Sequence, residues 1–136
     1  MSWLTLSLVA MVCWGFWALL IKVAFNHFNW YQVYIITSIV PISTSLLLYL
    51  YFKPIIDTRS PGFFYAIFAG VLGSIAVVAF YTALAEGNVS IIVPLTAVYP
   101  AITTILSYLL LHERTTLLQS LGVVLAIIAI ILISIE

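Results

Sequence analysis

The sequence predicts an all-α integral membrane protein, a five-transmembrane-helix bundle. Three observations carry this. Hydrophobic residues make up 65% of the 136-residue chain and charged residues 6%, where an average soluble domain is roughly a quarter charged. Four basic and four acidic side chains cannot cover a surface that faces water. The charges also cut the chain at intervals of about twenty residues, the length that crosses a hydrocarbon core about 30 Å thick at a rise of about 1.5 Å per residue.

The first span is expected at residues 3–25, with Lys22 near its end. Its apolar run has no Lys or Arg before it, and bulky Trp14, Phe16 and Trp17 stand where a cleavage site wants small residues, so it is expected to be a permanent span rather than a cleaved signal. A polar turn, Asn26-His27-Phe28-Asn29, leads to the second span at 30–52. There Asn29 and Gln32 have capping-box spacing. The loop KPIIDTRS (residues 53–60) is the most polar stretch, and Ser60-Pro61 reads as a helix cap followed by proline at the first helical position. The third span covers 61–85. Glu86-Gly87-Asn88 is a tight turn, with Gly87 placed to close one helix and Asn88 to cap the next. The fourth span covers 89–111 and stops at His112, Glu113 and Arg114, charges that fix its depth. Thr116 and Gln119 again have capping-box spacing, before a fifth span at 117–135. Glu136 follows, with no soluble domain expected.

Four spans is the competing count, but residues 3–52 need two crossings to fit. The runs are too long for β-barrel strands and lack their in–out alternation of polarity. With five crossings and the N-terminus inside, Lys53, Arg59 and Arg114 fall on the cytoplasmic side and only Lys22 opposite them, which the positive-inside rule favours by two charges. A net charge of zero offers no basic patch for nucleic acid. Cys13 is the single cysteine and is read as a packing residue. His27 and His112 are loop or interface residues, and neither is assigned a metal. No nucleophile–base pair, phosphate-binding glycine loop or metal cluster is recognisable, so neither enzyme activity nor a cofactor is expected.

The stretch PLTAVYPAITTILSYLLLHERTTLLQSLGVVLAIIAIILIS (residues 94–134) resembles the C-terminal half of an EamA domain, the repeat of the drug/metabolite transporter superfamily. That pattern runs P-L-x-A-x-x-P, an apolar helix, G-E-R, then an apolar helix with an early glycine. Pro94, Pro100, Glu113, Arg114 and Gly122 match it, and His112 stands in place of the usual glycine. YTALAEGNVS (81–90) is similar to the end of the family's third helix, and WGFWALLIKVA (14–24) to its first. The resemblance implies a five-helix repeat. Full-length members carry two repeats of opposite membrane orientation with a substrate cavity between them; this sequence holds one. By that logic the expected assembly is a homodimer, antiparallel if the chain inserts both ways; a parallel dimer or a separate partner of opposite orientation are the alternatives.

The candidate site residues follow from polarity at depth. Pro94 and Pro100 kink the fourth helix, which suits a wall that must open alternately to each side. Thr96, Tyr99 and Thr103 share a helical face, with Ser107 beyond, and either contact substrate or bond across helices. On the third span Ser74 and Tyr81 share a face, while Ala66, Gly70 and Ser74 form a small-residue ridge read as a close helix contact. Trp14 and Trp17 lie mid-span and either wall a cavity or pack the core, while Trp3 and Trp30 suit the interfaces. Lys22 either snorkels or attracts an anionic group, and Glu86 is a turn carboxylate or a proton acceptor. No acid sits in the middle of a span, unlike the first-helix glutamate of the four-helix small multidrug-resistance relatives. The expected function is transport of a small polar or amphipathic metabolite by alternating access, in a prokaryotic inner membrane. A lipid-linked sugar flippase subunit and a non-transporting scaffold are the alternatives.

Overall fold

The computed structural model describes residues 2–113 and 116–134. Arg114, one of the charges expected to fix the depth of the fourth span, and the end of the fifth span lie outside them. Six α-helices and one π-helical turn make up the described chain, in two compact units divided between Glu86 and Gly87.

The first unit holds α1 (Trp3–Ala24), α2 (Trp30–Phe52) and α3 (Pro61–Glu86). Each begins where a polar side chain can serve the unpaired first-turn amides. The Thr5 amide donates to Ser2 Oγ at 3.2 Å. The Asn29 amide donates to Gln32 Oε1 at 2.9 Å, and the Phe63 amide to Ser60 Oγ at 3.3 Å. Lys53 closes α2 in the left-handed conformation (φ 45°). α2 packs on α3. Buried residues of this unit are Ala18, Ile21, Val33, Tyr81 and Leu84.

The second unit holds α4 (Val89–Thr96), α5 (Tyr99–Leu106), a π-turn (Ser107–Leu111) and α6 (Leu117–Ser134). The expected fourth span is therefore broken, and the prolines give the reason. Pro100 has no N–H for the Thr96 carbonyl, and its ring crowds the preceding turn. The chain responds by tightening: the Ala97 amide reaches Pro94 O, Val98 reaches Leu95 O, and Ala101 reaches Val98 O at 2.8 Å, all three residues back. Thr96, Thr103 and Thr104 do not repair the orphaned carbonyl; each donates to a carbonyl one turn before itself in its own helix. The π-turn ends at His112, again left-handed (φ 54°), where the amides of His112 and Glu113 converge on the Ser107 carbonyl. Both halves of the capping box at Thr116 and Gln119 form, at 2.8 and 3.3 Å. α6 packs on both α4 and α5. The Glu86–Asn88 turn works differently from expectation: Gly87 does not take a positive φ, and Asn88 precedes α4 without a side-chain cap.

Residues 3–24, 30–52, 61–86 and 89–111 are long and apolar enough to cross a membrane. α6, with 18 residues, is about 27 Å long at about 1.5 Å per residue, close to the hydrocarbon thickness. Burial inside each unit is slight, and large apolar side chains such as Phe16, Leu20, Phe68 and Leu125 are more than 60% exposed. An exterior of that kind is solvated by lipid. The protein is all-α and multi-pass.

Candidate functional site

The first unit encloses an open cleft of about 660 Å³ among its three helices. Tyr81 lines one end of it and is 1% exposed. Three aromatic rings meet the Tyr81 ring edge-to-face: Tyr34 at 5.7 Å, Trp17 at 6.0 Å and Phe25 at 6.1 Å. Such pairs contribute about 0.5–1.5 kcal/mol each beyond the area they bury. Trp17 also stacks on Phe80, 5.6 Å between centroids and 7° from parallel. The Tyr81 hydroxyl is bonded to Thr37 Oγ1 at 2.7 Å, which satisfies a phenol that would otherwise be orphaned in an apolar setting.

α2 supplies the polar wall. Thr37, Ser38 and Pro41 line the cleft, between the first third and the middle of α2. Thr37 and Ser38 hydroxyls both donate to the Tyr34 carbonyl, at 3.1 and 2.8 Å. Pro41 has no N–H to engage the Thr37 carbonyl. The facing wall is α3, where Gly70, Gly73, Ser74 and Tyr81 line the cleft. Nothing lies within 4 Å of where a Cβ would sit at Gly70 or Gly73. The small-residue ridge thus borders open space in this chain, where a close helix contact was expected.

The sequence candidates divide accordingly. Trp17, Ser74 and Tyr81 come together in the cleft. Trp14, one turn earlier, is 60% exposed and does not line it. Lys22 Nζ donates to the Leu84 carbonyl at 2.6 Å, so its charge serves the end of α3. Glu86 is exposed at the last position of α3.

In the second unit, Thr103 lines a separate cleft of about 550 Å³ together with Thr104, Ser107, Glu113, Gln119 and Gly122. Thr96 and Tyr99 do not reach it. For Thr96 the shared face assumed an unbroken helix, and the break at Ala97–Val98 interrupts the 3.6-residue period; Tyr99 and Thr103 stay one turn apart within α5. Pro94 and Pro100 stand on either side of that break. Sequence reasoning left out α2 altogether. Its signal was present in TSIVPISTS (residues 37–45), a proline among hydroxyls in mid-span. Among the described residues, no group of three or more His, Cys, Asp or Glu is placed to hold a metal ion.

Comparison with known proteins covers both units. The model of the EamA-like transporter family matches residues 1–135. Over 109 residues the chain is 45% identical to an uncharacterized protein of Methanocaldococcus jannaschii, a match covering 80% of this chain and 77% of that protein. No solved structure matches. A multi-pass helical chain matched by that family from end to end is a member of the EamA-like transporter family.

Proposed function

We propose that the protein carries a small polar or amphipathic metabolite across a prokaryotic inner membrane by alternating access. The carrying observation is the cleft around Tyr81. It reaches the middle of α2 and α3, is walled by aromatic rings and hydroxyls, and borders glycines with no neighbouring atom packed against them. Transporters place their sites at that depth, between helices that rearrange.

In this reading one chain supplies half of a pathway, and two copies complete it as an antiparallel homodimer. The charge bias of two leans toward one orientation but is small enough to be compatible with mixed insertion. The broken helix at Pro94–Pro100 is the element suited to bend between inward and outward states.

Proteoliposomes holding only this chain test the proposal by uptake of a panel of labelled metabolites. Saturable uptake that is lost in Trp17→Ala supports it, and Tyr99→Ala asks whether the fourth span contributes. Uptake equal to that of empty vesicles for every solute points to a non-transporting subunit. Cysteines placed in the 53–60 loop in a Cys13→Ala background report topology in intact cells. Labelling from both sides supports the antiparallel pair, and labelling from one side alone removes it.

A further inference from the structure

We propose that the cleft of the first unit selects an uncharged, flat, amphipathic solute: a conjugated ring that carries N–H or O–H groups. This rests on the reading that the cleft holds substrate, and adds the chemistry it accepts.

Charge decides first. No Asp, Glu, Lys, Arg or His lines the cleft. Lys22, the cation nearest in the sequence to Trp17, is directed at the Leu84 carbonyl. Moving an unpaired ion out of water costs several kcal/mol even after relaxation. The only attraction offered to a cation would be an aromatic face, worth about 0.5–2 kcal/mol, and few faces are open. Phe80 stacks on Trp17, and Tyr81 already receives three rings edge-to-face. A cation is therefore not balanced, and an anion meets no cation at all.

The polar groups decide next. Ser38 Oγ donates to the Tyr34 carbonyl at 2.8 Å and Ser74 Oγ to the Gly70 carbonyl at 2.9 Å. With their protons engaged, these hydroxyls turn oxygen lone pairs to a ligand. The Thr37 carbonyl, deprived of its helical partner by Pro41, is a further acceptor. A ligand with N–H or O–H donors satisfies them; a carboxylate, which only accepts, does not.

Shape comes last. Trp17 forms one wall as an indole braced from behind by Phe80. Further along α3, Gly70 and Gly73 leave part of the cleft wall without side chains. An aromatic plate next to a bare stretch of wall leaves a slot that admits a ring.

The test is a charge series on one ring: indole-3-methanol, indole-3-carboxylate and indole-3-methylammonium. Binding to the purified full-length protein is measured by equilibrium dialysis, with protein-free micelles subtracted. The neutral probe is expected to bind at least tenfold more tightly than either ion. Trp17→Ala should weaken it about tenfold, as loss of a stacking contact implies. Gly73→Leu, which fills the slot where no neighbouring atom stands within 4 Å of the new Cβ, should abolish binding while leaving the protein monodisperse. If an ionic probe binds as tightly as the neutral one and shares its dependence on Trp17, the uncharged class is wrong and the cleft survives as a site. If no probe binds, or binding ignores both substitutions, the cleft reading itself fails.

Discussion

The Lys22 ammonium donates a 2.6 Å hydrogen bond to the Leu84 carbonyl, tying the end of α1 to the last turn of α3. That carbonyl is among the four that a helix leaves without an internal partner, and it belongs to a residue that is fully buried. A cation at a helix C-terminus also complements the helix dipole. Lys22→Met keeps the apolar stem and removes the donor. It is expected to destabilise the protein by about 1–3 kcal/mol, the range for a charged hydrogen bond and the carbonyl it leaves unpaired. Unfolding in mixed detergent measures this, and an unchanged midpoint would refute the clamp.

The bond between Tyr81 Oη and Thr37 Oγ1 makes a second prediction. Thr37 Oγ1 also lies 3.1 Å from the Tyr34 carbonyl, so Thr37 donates there and Tyr81 donates to Thr37. Tyr81→Phe removes only the phenol oxygen and keeps all three edge-to-face ring contacts. Its expected cost is about 0.5–1.5 kcal/mol, the net contribution of a neutral hydrogen bond. The double variant with Thr37→Val should cost less than the sum of the two single changes. Additive losses in that cycle would mean the two side chains do not act as a pair.

Much of this arrangement was legible in the sequence, and for one reason. In lipid the backbone must satisfy itself, so apolar runs of about twenty residues become helices. Charges and turn residues then mark the ends, as at Ser60-Pro61 and Thr116–Gln119. That Trp17, Ser74 and Tyr81 line a common cleft was legible because polar and aromatic groups at depth need a reason to be there. What was not legible depends on where helices stand next to one another. Gly70 reads identically whether a neighbour packs on it or a cleft opens before it. The role of Lys22 needed the position of Leu84, 62 residues later. Thr96 parts from Tyr99 and Thr103 because helical spacing was carried across a break that two prolines had announced.

His112 occupies a left-handed position (φ 54°, ψ 28°) at the end of the π-turn, where the family pattern has glycine. A residue with a Cβ pays roughly 1–2 kcal/mol for that conformation, partly offset because glycine gives the unfolded chain more freedom. His112→Gly is therefore expected to stabilise the protein, by up to about 1 kcal/mol. His112→Ala keeps the strain and should give no gain. A glycine variant that unfolds no later than wild type in the same detergent would show that the turn carries no strain worth relieving.

Gly70 offers the sharpest separation of cleft from packing. A Cβ there would meet nothing within 4 Å, and α3 would gain helix propensity of up to about 1 kcal/mol on losing a mid-helix glycine. Gly70→Leu should fold at least as well as wild type and place an isobutyl group in the space the solute needs. The expected result is unchanged or higher resistance to unfolding, together with transport reduced at least tenfold in proteoliposomes. The two readouts must be taken together with the oligomeric state. Should Gly70→Leu lose transport because the protein no longer associates, Gly70 belongs to an interface between copies rather than to the cleft. Should transport persist with the side chain in place, the solute does not pass this wall at all.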